Sequence, residues 1–487
     1  MVEQSKICFL KIKLRKMGTV YEEPSLLQDF KVTIHQSSLV TPSQKSERNS
    51  MFFLSNIDQV LNFDVQTVHF FPAHKDFPPQ TVAEKLRETL GEMLVDPYNF
   101  LAGRLKLNAK TGRLEIDCND SGVGFVVASS EFTLDEIGDL VYPNPGFAQL
   151  VTITLDTLKP EEQPLGIFQV TSFKCGGFAI GISTNHATFD GLSFKLFLQN
   201  LAAALVSSNN KSNSILSLTS TPCNDRQLLA ARSPPRVTFP HPELLKLTTK
   251  TNTPQDSSSN SDGSSGVFEA TQEDLHIKLF RLNSAAISHL KDKAKPRPAG
   301  TNNVEAKRIV TSFNVVTALI WQCKALSSTT ENNADRESTM LYAVDIRPRL
   351  NPPLPASYSG NAVLSAYARA TCRELEEGPF SRTVEMVWEG ARRMTDEYAR
   401  SVIDWGELYK GFPHGEVMVS SWWKLGFEKV EYPWGKPRYS CPVVYHRKDI
   451  ILLLPDIDED GGGVNVLVAL PPKEMEKFQT IFHNLLA

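Results

Sequence analysis

The octapeptide Thr184-Asn185-His186-Ala187-Thr188-Phe189-Asp190-Gly191 puts a base, a carboxylate and a glycine into one short stretch. A neutral imidazole at His186 could take a proton from an attacking hydroxyl, which is general-base chemistry. Asp190 stands one helical turn further on but need not point the same way, and Gly191 permits an unusual backbone angle. With ten histidines and aspartate at a background of about 5%, roughly half an HxxxD match arises by accident, and requiring glycine next cuts this to a few hundredths. An alternative stays open on these residues alone: a hydrogen-bonded turn histidine, with Asp190 capping the next helix.

Other chemistries have weaker footing. No G-x-S-x-G elbow occurs, and Cys441 lies five residues before His446, an adjacency that Cys/His pairs do not normally use. No His/Cys grouping has zinc-site spacing, so no metal is expected. The acidic run Asp456–Gly463 lacks the alternating ligands and terminal Glu of a calcium loop and reads as a solvated hairpin turn.

The elements around the octapeptide must hold it. Ile167–Lys174 and Gly177–Thr184 read as two strands joined through Cys175-Gly176-Gly177, so His186 falls where a strand ends and a helix begins. Gln80–Leu94 places Val82, Leu86, Leu90 and Met93 at helical spacing, and Ser312–Leu326 does the same with Phe313, Val316, Leu319 and Ile320. Arg113–Asp117 and Gly122–Ala128 read as short strands, Ile450–Leu454 and Val464–Leu470 as buried ones. The fold class is α/β, mixed in both halves. The run TNTPQDSSSNSDGSSG at Thr251–Gly266 cannot bury enough apolar area to order itself. The expected organisation is therefore a loose tail at 1–16, a first domain at 17–206, a crossover at 207–266 and a second domain at 267–487.

Composition bounds the function. Of the 487 residues 41% are hydrophobic and 22% charged, which excludes wholesale disorder. A net charge of −4 without a long basic run lacks the cationic footprint of a nucleic-acid binder. No apolar run approaches the ~18 residues of a membrane span. Seven scattered cysteines without a CxxC fit reduced thiols, hence a cytoplasmic protein.

A series of short motifs, in one order along most of the chain, resembles the plant BAHD acyltransferases. It begins at Phe100–Leu105 and Cys118-Asn119-Asp120, passes through Gln169-Val170-Thr171, and peaks at His186–Gly191. It continues through Asp225-Arg226, Phe313–Trp321, Asp345–Arg349, Pro352–Pro355, Tyr358–Ala362, Ser421-Trp422 and Trp434–Pro437. The resemblance implies a two-domain chloramphenicol-acetyltransferase-like fold, with mixed sheets flanked by helices and an active-site channel at the domain interface. It implies a monomer with no bound cofactor that uses acyl-CoA as co-substrate and a small-molecule alcohol, or less readily an amine, as acceptor; the acyl group would be hydroxycinnamoyl or fatty acyl.

By the same resemblance His186 is the base, Ser420 and Trp422 donate to the developing oxyanion, and Asp190 turns away to pair with Arg347. An alcohol is too weak an acid to lose its proton to an imidazole of pKa ~6.5 beforehand, so the proton must move as oxygen attacks the thioester. The chain departs from the family at Glu431-Tyr432-Pro433-Trp434-Gly435-Lys436-Pro437, where Asp-Phe-Gly normally precedes Trp434 and Gly435 in a structural loop; Pro433 cannot adopt a positive φ. Ser359 stands where Phe is usual. Asn185 replaces the first of two adjacent histidines found in peptide-synthetase condensation domains, which favours a diffusing acyl-CoA over a carrier-protein thioester. The reading from another class is a non-catalytic family member serving as a scaffold or regulator.

Overall fold

The computed structural model describes residues 18–21, 24–45, 50–207, 217–247, 274–295, 310–328, 334–443, 447–457 and 462–487. The tail at 1–16, the stretch 251–266 and His446 lie outside these residues.

Two large sheets carry the fold. The first has six strands in the order Tyr439–Pro442, Asp64–Phe71, Phe178–Asn185, Gly166–Ser172, Val123–Ser130 and Val32–Val40. Only Val123–Ser130 and Gly166–Ser172 run parallel. The second has seven, in the order Gly18–Val20, His276–Leu282, Val464–Leu470, Ile450–Pro455, Val417–Ser421, Glu337–Asp345 and Val363–Thr371. Two strands cross between the halves: Gly18–Val20 pairs with His276–Leu282, and Tyr439–Pro442 pairs with Asp64–Phe71. Each sheet is therefore completed by chain from the other end of the sequence.

The hydrophobic patterns explain the layers. Pro79–Met93 starts with proline at its first turn, which suits a position whose N–H has no helical partner, and turns Val82, Leu86, Leu90 and Met93 inward. It packs with Gly191–Ser207 over the first sheet. Ser312–Ser327, capped by Thr311 accepting from the Asn314 N–H at 3.1 Å, is buried along nearly its whole length. It packs on the second sheet, flanked by the helices Phe380–Arg393 and Pro472–Leu486, which touch strands of the same sheet. Val464–Leu470 is buried at all seven positions, as a near-continuous apolar run inside a covered sheet must be.

Two local expectations are revised. The turn at Asp456–Gly463 is not simply solvated, because Asp456 is buried and accepts from Arg281 Nε at 2.7 Å. Nor is the crossover only a loop. Leu244–Lys246 pairs antiparallel with Gly411–Pro413, and Arg226 is buried against the first half.

Candidate active site

His186 follows the last residue of Phe178–Asn185, and the turn after it closes on itself. Asn185 Oδ1 accepts the Ala187 N–H at 3.0 Å, and the Asn185 carbonyl accepts both the N–H of Thr188 at 3.0 Å and its hydroxyl at 2.5 Å. The His186 N–H donates to the Phe63 carbonyl at 2.8 Å, and the Phe63 ring lies 5.2 Å from the imidazole. The residue keeps partial exposure while its Nδ1 is buried, so the Nε2 edge is the side a reactant can approach. Burial depresses the imidazole pKa, partly offset by its own backbone carbonyl, Asp190, Asn361 and Asp58. The ring is therefore neutral near pH 7, the form that can accept a proton.

Asp190 is fully committed elsewhere. It forms a reciprocal cap with Ser193: the Asp190 N–H donates to Ser193 Oγ, and the Ser193 N–H to Asp190 Oδ1, both at 2.9 Å. Arg347 Nη2 lies 3.0 Å from Asp190 Oδ1 and 2.9 Å from Oδ2, and Oδ2 also accepts the Ala362 N–H at 3.0 Å. Arg347 further donates to the carbonyl of Gly360 at 2.9 Å and to Asp345 at 3.0 Å. Both members are buried, and the pair ties the histidine turn to the second half. Gly191 has no positive φ. A side chain there would bring Cβ to 2.8 Å from Leu425 Cδ1, which would have to shift to admit it.

A second buried pair lies behind the turn. Arg226 Nη1 donates to Asp58 Oδ1 at 2.8 Å, with both side chains wholly shielded from solvent. Arg226 Nη2 donates to the Thr188 carbonyl at 2.7 Å. Asn361 Nδ2 bridges Asp58 Oδ1 and the His186 carbonyl, 2.8 Å from each. Sequence reasoning quoted Arg226 and Asn361 within motifs but gave them no role, and it missed Asp58. The one local signal at Asp58, its reciprocal cap with Ser55, reads only as a helix start.

Ser420 sits on Val417–Ser421, opposite Leu452 of Ile450–Pro455. Trp422 is partly buried where the core of the first sheet meets the core between the sheets, with its ring 5.5 Å from Phe427. Among the described residues neither hydrogen-bonds to His186. Trp434 is buried, stacked on Tyr432 at 5.5 Å and set edge-on to Phe71 and Phe178 of the first sheet. Tyr432 and Gly435 exchange both backbone hydrogen bonds, at 3.1 and 2.9 Å. The positive φ of this turn, +100°, falls on Gly435 and not on Pro433, so the substituted proline is accommodated.

His69 was not flagged by sequence. It is buried on Asp64–Phe71, with Nδ1 2.8 Å from the Ser440 hydroxyl on the crossing strand, and burial lowers its pKa to about 4. Cys441 is buried on that same strand, and burial raises its thiol pKa far from the thiolate range, which removes it as a nucleophile. Among the described residues no cluster of His, Cys, Asp or Glu could hold a metal ion, and no helix is long and apolar enough to cross a membrane.

The comparisons with known proteins agree with this architecture. A family model described as "Transferase family" matches residues 30–485. The chain is 60% identical over 476 residues to the acyltransferase GLAUCE of Arabidopsis thaliana, covering 96% of this chain and 100% of that one. It is 32% identical over 456 residues to the omega-hydroxypalmitate O-feruloyl transferase of the same plant, covering 92% of each. Among solved structures, vinorine synthase superposes with a TM-score of 0.67 at 23% identity over 92% of this chain and 96% of that one. TRI101 of F. sporotrichioides, in complex with coenzyme A and T-2, gives 0.65 at 17% identity over 88% and 96%. These last two show the fold: α/β, with mixed sheets flanked by helices. The chain belongs to the transferase family of BAHD acyltransferases.

Proposed function

We propose that the protein moves an acyl group, hydroxycinnamoyl or fatty acyl, from acyl-CoA to the hydroxyl of a small acceptor, with His186 as general base. As the acceptor oxygen attacks the thioester carbonyl, its proton passes to Nε2 of His186. The carbonyl oxygen gains charge, which the Ser420 hydroxyl and the Trp422 indole N–H are suited to receive. Collapse of the tetrahedral intermediate breaks the C–S bond, and the CoA thiolate takes the proton back from the imidazolium. No covalent acyl-enzyme is needed.

The observation that carries this reading is the division of labour in the turn. His186 is neutral and open on one edge, while Asp190 spends both oxygens on Ser193, Arg347 and Ala362. A hydroxyl acceptor is favoured over an amine by the relatives at 32% and 30% identity, an O-feruloyl transferase and a fatty alcohol:caffeoyl-CoA acyltransferase, whereas a putrescine hydroxycinnamoyltransferase stands at 29%. Coenzyme A in the TRI101 complex supports a CoA thioester as donor.

The test is release of free CoA thiol from a panel of hydroxycinnamoyl- and fatty acyl-CoAs in the presence of pooled alcohols, then pooled amines. Thiol release dependent on an alcohol and abolished in His186→Ala supports the proposal. Release that survives in His186→Ala, or that depends only on amines, overturns it in base or acceptor respectively. No release with any pair returns the chain to the scaffold reading.

A further inference from the structure

We propose that Asn361 is a positioning residue for His186, holding the imidazole in the tautomer that leaves Nε2 free, and that the buried Asp58–Arg226 ion pair is its anchor. This rests on the reading of His186 as general base and adds the groups that orient it.

The amide orientation of Asn361 is decided by its neighbours. Nδ2 lies 2.8 Å from two acceptors, the Asp58 carboxylate and the His186 carbonyl. Turning the amide over would set an oxygen against both, so Oδ1 must occupy the other branch. Oδ1 is buried without a hydrogen-bond partner, and so is Nδ1 of His186. The ring's own backbone carbonyl and, less strongly, the Asn361 side chain raise the imidazole pKa against its burial. A buried acceptor without a donor beside a buried donor without an acceptor is a costly arrangement unless the two serve each other. Turning Nδ1–H onto Oδ1 would satisfy both and leave the Nε2 lone pair free.

Asn361 could not orient a ring if it were itself loose. Asp58 removes that freedom: its Oδ1 takes both Asn361 and Arg226, and its Oδ2 takes the Ser55 N–H and hydroxyl at 2.8 Å each. Arg226 in turn pins the Thr188 carbonyl, and a Cβ on Gly360 would meet its guanidinium at 2.5 Å. Asn361 therefore follows a position where a side chain would collide with the pinned guanidinium. The charged groups around the imidazole are then Asp58 with Arg226 and Asp190 with Arg347, each pair already neutralised within itself. A neutral amide between them can orient the ring without adding net charge.

The experiment reads the ring directly. The full-length protein is labelled with ¹⁵N-histidine, the His186 signals are assigned by their loss in His186→Ala, and pH titrations compare wild type with Asn361→Leu, which keeps the branched shape, is bulkier and drops every hydrogen bond of the amide. We expect wild-type His186 to carry its proton on Nδ1. In the variant we expect a mixture of tautomers and a lower imidazole pKa, with the melting temperature recorded alongside. The thiol-release kcat should fall roughly 10- to 100-fold with KM for the acyl-CoA unchanged, the range for losing one hydrogen bond to a group that becomes charged. If Asn361→Leu does not fold, Asn361→Ala carries the same readout. An unchanged tautomer and pKa in a folded variant overturns the positioning role even if stability drops. Turnover that persists in His186→Ala overturns the base assignment instead, so the two failures are distinguishable.

Discussion

Arg347 and Asp190 meet across the two halves of the molecule, Nη2 to Oδ2 at 2.9 Å, with both side chains buried and 157 positions apart in sequence. The HxxxD spacing is thus a division between chemistry and construction. The histidine keeps partial exposure, and the aspartate meets a guanidinium from the turn Arg347–Arg349 that follows strand Glu337–Asp345 of the other sheet. A surface pair of this kind would contribute little, whereas breaking a buried one strands a charge away from water.

Asp190→Asn should accordingly act first on stability. We expect a loss of about 3–5 kcal/mol, because Arg347 keeps its charge and loses its partner. Thermal melts with parallel kinetics check this: an untouched melting curve with dead catalysis would contradict the structural role.

His186→Ala should leave the melt nearly unchanged and lower kcat by about 100-fold or more, the usual reach of a general base. The sign of the pH dependence follows from burial. The active form is the neutral imidazole and its pKa is depressed, so kcat/KM should hold as pH falls past 6.5 and decline only below it. An acid limb centred above 6.5 would be inconsistent with this environment.

Ser420→Ala and Trp422→Phe each remove one hydrogen-bond donor. If these donors receive the oxyanion, each should lower kcat by roughly 100-fold with little change in KM. Equal KM and kcat in both variants would send the search for oxyanion donors elsewhere.

Trp434→Ala should destabilise by about 3–5 kcal/mol, since the indole is buried against Tyr432, Phe71 and Phe178. Activity per folded molecule should be preserved, because the indole packs on Tyr432, Phe71 and Phe178 and makes no ring contact with His186. Active-site titration of the folded fraction separates the two effects.

His69 gives a pH signature of its own. It is neutral when folded down to a pKa of about 4, whereas the unfolded chain takes up its proton near 6.5. Below pH 6.5 the unfolded state therefore gains protons that the folded state refuses, and stability falls until about pH 4, by roughly 3 kcal/mol from this residue. His69→Gln, which can still meet the Ser440 hydroxyl, should flatten the melting temperature between those limits. An equally steep fall in the variant would assign the acid sensitivity to other groups.

Much of this was legible in the chain. The helices at Pro79–Met93 and Ser312–Ser327 and the strands at Phe178–Asn185 and Val464–Leu470 follow from local periodicity, because each buries a single face or is wholly covered. His186 could be singled out because base, aspartate and glycine fall within six residues at a strand end. Local pattern also misjudged two positions. It allowed Gly191 an unusual backbone angle where no positive φ occurs, and it treated Asp456 as solvent-exposed where it is paired with Arg281. That partner lies more than 170 positions away.

What only the tertiary structure decided is the support of the site. Asp58, Arg226 and Asn361 come from three segments separated by more than 130 residues each, and none has a local signature of pairing. Strand exchange at Gly18–Val20 and Tyr439–Pro442 is equally invisible, since a strand's sequence shows which face it buries but not which neighbour it joins. The sequence determined the chemistry available and the elements that carry it, because both depend on residue type and near neighbours. The fold decided which charges are buried together, because burial and pairing are set by packing between elements that the chain brings together only once it is folded.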